Sequence, residues 1–260
     1  MIQKIDFHIE ALESMKKYPK DLFFLGNPAL LYQKKVAIVG SRKPNQYARE
    51  MTRVLAQKLS LAGNCIVSGG AIGVDAIAHK AAGAKNTIMV AATGLDKRYP
   101  AINKNLIASI EQEGLVLSQF AEKTPSTKYN FVLRNELVVA LGDILIVTYA
   151  DLNSGTMRSV EYAAAMGKKV YVLPHRIGES EATNRLLLDK KAEAIYDIES
   201  FISQFMHKSV GVTVEKTTPF LEFCQTNPSY EEALRKFSAE VFEAELSGLI
   251  CIKNGRVFRV

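Results

Sequence analysis

Cysteine is scarce in this chain of 260 residues: Cys65, Cys224 and Cys251 are the only three. They lie far apart with no C-x-x-C spacing, so neither a zinc site nor a disulfide framework is indicated, and no metal is expected. The N-terminus, Met1-Ile-Gln-Lys-Ile-Asp-Phe-His8, lacks the apolar core of a signal peptide, and no apolar run approaches the length of a membrane span. A reducing cytoplasm, with no membrane partner, is the expected setting. No Ser/His/Asp or Cys/His set stands at a recognisable spacing, and internal repeats and low-complexity segments are missing. No catalytic residues are therefore expected.

Hydrophobic residues make up 48% of the chain, enough for one sizeable core plus a small appendage, and the formal net charge of +6 favours a polyanionic partner. From Val36 onward, short apolar runs near 36–39, 65–67, 87–91, 115–118, 143–148 and 169–173 read as strands. Between them, helical periodicity falls near 45–62, 74–82, 102–113, 131–141 and 156–167. Repeated βα units predict an α/β fold, a mostly parallel sheet covered on both faces. Pro44 suits the start of the first long helix, and Gly63 and Gly167 suit C′ positions. Residues 1–35, rich in aromatics, read as a lead-in packed on the core, and 36–207 as the main domain. The polar, β-branched stretch 208–218 reads as a linker. Residues 219–260 then show three short helical patterns and a hairpin at Asn254-Gly255, a winged-helix-like arrangement.

The chemistry concentrates where strands end. Val36-Ala-Ile-Val-Gly-Ser-Arg42 and Ile66-Val-Ser-Gly-Gly-Ala-Ile-Gly73 each run from an apolar strand into a small-residue turn, which exposes backbone N–H groups to an anion. The first is no dinucleotide fingerprint: the second and third glycines of G-x-G-x-x-G are missing and no acid ends the second strand, so no nicotinamide cofactor is expected. Ser154-Gly155-Thr156 repeats the same pattern. Asp75 falls in a first helical turn, where capping explains a carboxylate, and His79 reads as a packing histidine. In Lys128-Tyr-Asn-Phe-Val-Leu-Arg-Asn135, Phe131 is either a hydrophobic staple or a stacking platform for a base, with Lys128 and Arg134 on phosphates.

Together these segments resemble the DNA-processing protein A family (DprA/Smf). The likeness runs through Val39-Gly-Ser-Arg42, Ser68-Gly-Gly with Gly73-Val-Asp and Ala78-His79, Gly94-Leu-Asp-Lys-Arg-Tyr-Pro100, Phe131 with Arg134-Asn135, Ser154-Gly-Thr156 and Leu173-Pro174, covering most of residues 18–205. It implies an extended Rossmann-like domain that binds single-stranded DNA in a basic pocket, forms a homodimer and helps load the RecA recombinase in natural transformation. Carried over by position, Ser41, Arg42, Gly69, Gly70 and Gly73 would hold phosphates, Lys128 would add a cation, and Phe131 would stack on a base. Arg134, Asn135, Ser154, Gly155 and Thr156 complete the expected DNA-binding set. The C-terminal module resembles the winged-helix tail that many members carry. The chain departs from the family pattern at Gln119, where Glu is usual, and at Glu136, where a second Arg is common. Glu136 would weaken the positive field unless its side chain points away.

Two other classes compete. Lysine-decarboxylase-like nucleotide phosphoribohydrolases share this sheet and a Gly-Gly-x-Gly-Thr-x-x-Glu motif, but here the residue three beyond Thr156 is Ser159. The nearest acid, Glu161, is turned by roughly 200° on a helix. A duplex-binding regulator would need a basic reading helix, whereas Ala239 to Ser247 carries three glutamates and no Arg or Lys. Lys253, Arg256 and Arg259 of the final hairpin leave sequence-independent DNA contact open.

Overall fold

The computed structural model describes residues 1–205, 219–224, 226–246, 250–253 and 255–259. The chain divides into two compact units, Met1–His207 and Lys208–Val260. The linker expected over 208–218 lies outside the described residues, as do Asn254 and the side chains of Lys253 and Arg259.

In the first unit, apolar runs form β3 (Lys35–Val39), β4 (Cys65–Ser68), β5 (Thr87–Val90), β6 (Leu115–Ser118), β7 (Ile144–Val147) and β8 (Val170–Val172). The helices between them are α1 (Gln46–Leu61), α2 (Val74–Ala82), α3 (Lys104–Glu113), α4 (Lys128–Leu141) and α5 (Gly155–Ala165). The segment ahead of β3 does more than pack on the core. Its β1 (Gln3–Lys4) and β2 (Phe23–Gly26) extend the sheet, β2 pairing antiparallel with β6 from Phe23 opposite Ser118 to Gly26 opposite Leu115. Past β8 come α6 (Glu181–Leu188), β9 (Glu193–Ala194) and α7 (Ile198–Ser203). The result is one nine-stranded, mostly parallel Rossmann-like sheet in the order β1-β2-β6-β5-β4-β3-β7-β8-β9.

Strand period 2 divides the core. Val36 and Ile38 face α1, α2 and α7, whereas Ala37 and Val39 face the layer built by α4, α5 and α6. At its C-terminal end α4 is apolar all round: Leu137, Val138, Val139, Ala140 and Leu141 are all buried, because the N-terminal segment covers the side turned from the sheet. Lys168 closes that helix by donating from Nζ to the carbonyls of Val139, Ala140 and Gly142 at 2.9, 2.5 and 2.6 Å.

Side-chain caps set the starts of α1 and α4. Asn45, not Pro44, caps α1, its Oδ1 accepting from Ala48 N at 2.8 Å, which leaves Pro44 one residue outside. Gly63 and Gly167 do sit one residue past the C-caps of α1 and α5, with φ of 85° and 66°. Thr127 caps α4, so this helix starts at Lys128, earlier than the apolar periodicity indicates.

The second unit has α8 (Pro219–Cys224), α9 (Tyr230–Leu246) and a hairpin of β10 (Ile250–Lys253) and β11 (Arg256–Arg259). Non-helical backbone at Phe237 (φ −145°, ψ 53°) breaks α9 into the two helical stretches that its sequence suggests. Ser229 and Glu232 form a capping box at its start, Ser229 N donating to Glu232 Oε2 at 3.0 Å and Glu232 N to Ser229 Oγ at 3.2 Å. Phe220, Cys224, Ala233, Val241, Ile250 and Val257 make its small core.

His79 of α2 is fully buried, its Nδ1 2.6 Å from the Thr87 hydroxyl, which itself donates to Ile66 O. Burial, helped by the charge of Arg134, drives its pKa from the ordinary 6.5 down to about 3. Between those values the unfolded chain binds a proton that the folded one does not, so stability rises with pH across the window and is lost on acidification. Urea unfolding at a series of pH values is expected to give a wild-type slope steeper than that of His79→Gln by up to about 1.4 kcal/mol per pH unit. Equal slopes would contradict a buried neutral imidazole.

Candidate nucleic-acid interface

The chain runs from β3 through β4 and β5 to β6 on one side of the sheet, then crosses back to place β7 on the other side of β3. Loops leaving β3 and β7 therefore diverge, and the crevice between them is where ligands settle in open α/β sheets. A cleft of about 390 Å³ opens here, bordered by the exits of β3, β4 and β7 and by the first turns of α4 and α5.

The floor is tightly tied backbone. Ser41 N donates to Tyr149 O at 2.8 Å, Ser41 O accepts from Val74 N at 3.2 Å, and Ser41 Oγ accepts from Lys43 N at 3.1 Å. This fixes the turn that carries Arg42, which is exposed and lines the cleft. The glycines divide by role. Gly69 lines the cleft, whereas Gly70 (φ 69°) packs on Met89 and Gly73 (φ 83°) on the backbone of Ser41 and Arg42. A Cβ at Gly73 would stand 2.5 Å from Ser41 O, so these two glycines permit the crossing of loops and do not border the cleft.

From α4, Phe131, Arg134, Asn135 and Val138 face the cleft, a stripe at helical spacing. Phe131 is the fourth residue of a helix capped by Thr127, which puts the polar Ser126 at the position a hydrophobic staple needs. The staple reading therefore fails. Instead the Phe131 ring has the Arg42 and Arg134 guanidinium carbons 5.4 and 5.6 Å from its centroid, and Tyr99 at 6.0 Å. Lys128 lies one turn before Phe131, exposed and outside the cleft lining. Glu136 points away: buried, it accepts from Lys16 N at 3.0 Å on the side of the N-terminal segment.

Arg134 is not the free phosphate ligand its charge suggests. It is 4% exposed; its Nη1 donates to Gly69 O and, at 3.0 Å, to Val90 O, and its Nε donates to Asn135 Oδ1 at 3.1 Å. Burial pushes the carboxyl of neighbouring Asp75 up, while the Arg134 cation and a bond from Ala71 N oppose the rise. Sequence reasoning places Asp75 at the helix cap; the structure also sets it against the cleft.

The N-terminus of α5 borders the cleft beside α4. Ser154, Gly155 and Thr156 line the cleft, and the first N–H groups of the helix have no partner inside it. Ser154 Oγ is buried without a hydrogen-bond partner, and a Cβ at Gly155 would meet open space. Ser159, one turn on, also faces the cleft, a position legible from its spacing to Gly155. Glu161 pairs instead with Arg158 at 2.8 Å on the exposed face, which leaves the phosphoribohydrolase reading without its acid. Lys43 and Asp151 complete the rim and carry no strand-exit signature of their own. Among the described residues, no group of three or more His, Cys, Asp or Glu could hold a metal ion.

Comparison with known proteins bears on the fold that carries this cleft. The family model described as DNA recombination-mediator protein A matches residues 4–206. Protein Smf of Escherichia coli is 34% identical over 176 residues, 66% of this chain and 47% of that relative. DNA processing protein DprA of Streptococcus pneumoniae is 37% identical over 174 residues, 65% of this chain and 61% of its own length. The chain thus spans about two-fifths to two-thirds of the curated relatives it matches. The structure of DNA processing protein A from Helicobacter pylori, described for its single-stranded DNA binding mode, superposes with a TM-score of 0.77 at 40% identity, covering 78% of this chain and 95% of that one. The X-ray structure of DprA from Streptococcus pneumoniae gives 0.72 at 32% identity, covering 80% and 75%.

The two cleft glycines should respond oppositely to a methyl group. In Gly69→Ala the new Cβ lands on the Arg134 guanidinium, and thermal unfolding is expected to show a loss of about 1–3 kcal/mol. Gly155→Ala, with open space at that position, is expected to stay within about 0.5 kcal/mol of wild type. Equal tolerance at both sites would contradict the packing of Arg134 on Gly69.

Proposed function

This chain belongs to the DNA recombination-mediator protein A family, and from that premise we propose that it captures single-stranded DNA in the carboxyl-edge cleft, by binding alone and without catalysis. The observation that carries the reading is that one cleft holds both halves of a nucleotide site. Phe131 offers an aromatic face beside two guanidiniums, and the α5 N-terminus offers an anion seat with the unpartnered Ser154 hydroxyl. The Helicobacter pylori relative's reported single-strand binding mode supports the same assignment.

In this reading a phosphate lies at the first N–H groups of α5, bonded by Ser154 and by Arg42, whose planar fork suits phosphate oxygens. The attached base stacks on Phe131, which contributes roughly 1–3 kcal/mol per base regardless of sequence. Arg134 holds the platform in place and adds its positive field from beneath. Lys128, exposed one turn before Phe131 on α4, meets the strand further along. Bases inside a duplex stack on one another and cannot offer a face to Phe131, so single strands are preferred. Counterion release makes the affinity fall steeply with salt.

Catalysis has no histidine to draw on in this cleft: His79 is sealed in the core against Thr87 and cannot exchange protons with a bound strand. The family premise brings three further parts to the proposal: assembly as a homodimer, loading of RecA onto the captured strand, and a cytoplasmic role in natural transformation. Light scattering and RecA filament assembly on the bound strand test the first two. The helices and hairpin of the second unit are assigned a winged-helix-like role in protein contact, since α9 beyond Phe237 carries three glutamates and no Arg or Lys.

Fluorescence anisotropy with labelled oligo-dT tests the site. Arg42→Ala is expected to weaken binding by at least about tenfold, the loss for a charge-assisted bond to phosphate. Lys58→Ala, which removes a cation paired with Glu199 in the last turn of α1, is expected to change it less than about twofold. Equal losses would mean that affinity comes from net charge and not from this cleft.

A further inference from the structure

A second cleft, about 530 Å³ in volume, opens at the same edge of the sheet, where α1 begins beside the loop leaving β8. Tyr47 and Arg176 both line it. Tyr47 keeps 43% of its surface exposed although it lies in the first turn of a long helix. Its ring is fixed from below by an aromatic chain. His175 meets Tyr47 edge-on at 5.3 Å and 85°, and meets Tyr149 edge-on at 5.2 Å and 83°. His175 is itself anchored, Nε2 donating to Thr148 O at 2.8 Å and the main chain pairing with the side chain of Asn184. A rigid, half-exposed aromatic ring so braced costs little entropy to use as a contact surface.

The charges around that ring are sorted. Arg176 is exposed and its guanidinium pairs with no carboxylate among the described residues. The one acid of the cleft, Glu179, is occupied by Asn45 Nδ2 at 3.0 Å. The first N–H groups of α1 open into the same space, Asn45 having capped only that of Ala48. An aromatic face, a free guanidinium and helix N–H groups repeat the composition of the first cleft.

The two clefts share a rim. Arg42 and Lys43 line the first, Asn45 to Tyr47 the second, and the step from Lys43 to Asn45 spans at most about 7 Å of chain. Resting on the single-strand reading of the first cleft, we propose that the second is the next station of the same strand. A nucleotide leaving the first cleft past Lys43 stacks its base on Tyr47 and sets its phosphate against Arg176 and the start of α1. The binding site is thereby longer than the first cleft alone, and His175 is a positioning residue for Tyr47.

Oligo-dT of about 4 and about 16 nucleotides, bracketing ordinary single-strand site sizes, separates the two clefts. Tyr47→Ala is expected to weaken binding of the longer strand by about 5- to 100-fold while leaving the shorter within about twofold. Tyr47→Phe, which keeps the stacking face, is expected to restore the longer strand's affinity. Arg176→Ala should reduce the salt slope for the longer strand by about 0.7, one phosphate contact. The chain has no tryptophan, so Tyr47→Trp places a lone reporter in the second cleft; its fluorescence should be quenched by the longer strand and not by the shorter. Unchanged affinity of Tyr47→Ala for both strands, with no quenching of Tyr47→Trp, would overturn the second station and leave the first cleft standing. Failure of the wild-type protein to bind either strand would instead overturn the capture reading and this extension with it.

Discussion

Arg134 is buried where α4 passes over the ends of β4 and β5, and the carboxyl edge of the sheet is arranged around its guanidinium. It ties the Gly69 and Val90 carbonyls to the helix, and through Asn135, whose Nδ2 reaches Gly155 O at 3.5 Å, it touches the start of α5. Guanidinium is the right group for this position: it stays charged when buried, and its planar fork meets several acceptors at once. Desolvating a cation is tolerated because its bonds are made and because Asp75 lies close enough to offset the charge. Phe131, one turn earlier on α4, inherits its place from that anchor.

A second constraint is the crossover of the chain at β3. Because β4 and β7 flank the first parallel strand on opposite sides, the loops beyond them part and leave room for a ligand that no single βα unit would make. The small residues of those loops have different work within one pattern. Gly70 and Gly73 let backbones cross, Gly69 accepts the guanidinium against its face, and Gly155 with Ser154 keeps a helix end open. A stacking face and an anion seat then fall in the same cleft. In the proposed function these serve base and phosphate of one strand.

Much of this was legible in residue order. The six parallel strands from β3 to β8 announce themselves as apolar runs, and His79 reads as a packing residue, whereas the direction of Glu136 is settled only by its bond from Lys16 N. The edge strands β1 and β2 were not legible, because a short strand pairing antiparallel with distant β6 depends on a partner some 90 residues on and carries no local period. The elements α6, β9 and α7 passed unread for the related reason that they are too short for periodicity to declare them. Arg134 shows the limit most clearly: sequence gives a basic residue beside an aromatic one, and only tertiary packing decides that its donors are turned to carbonyls. Ser154 shows the converse, a hydroxyl whose lack of a partner is visible only in three dimensions.

The most direct test of single-strand capture is a fluorescence anisotropy titration of labelled oligo-dT and of a matched duplex, at low and at physiological salt. Capture on Phe131 requires tight binding of the single strand that weakens as salt rises, with clearly weaker binding of the duplex. Equal affinity for both forms would contradict it, since only an unpaired base can lie on Phe131.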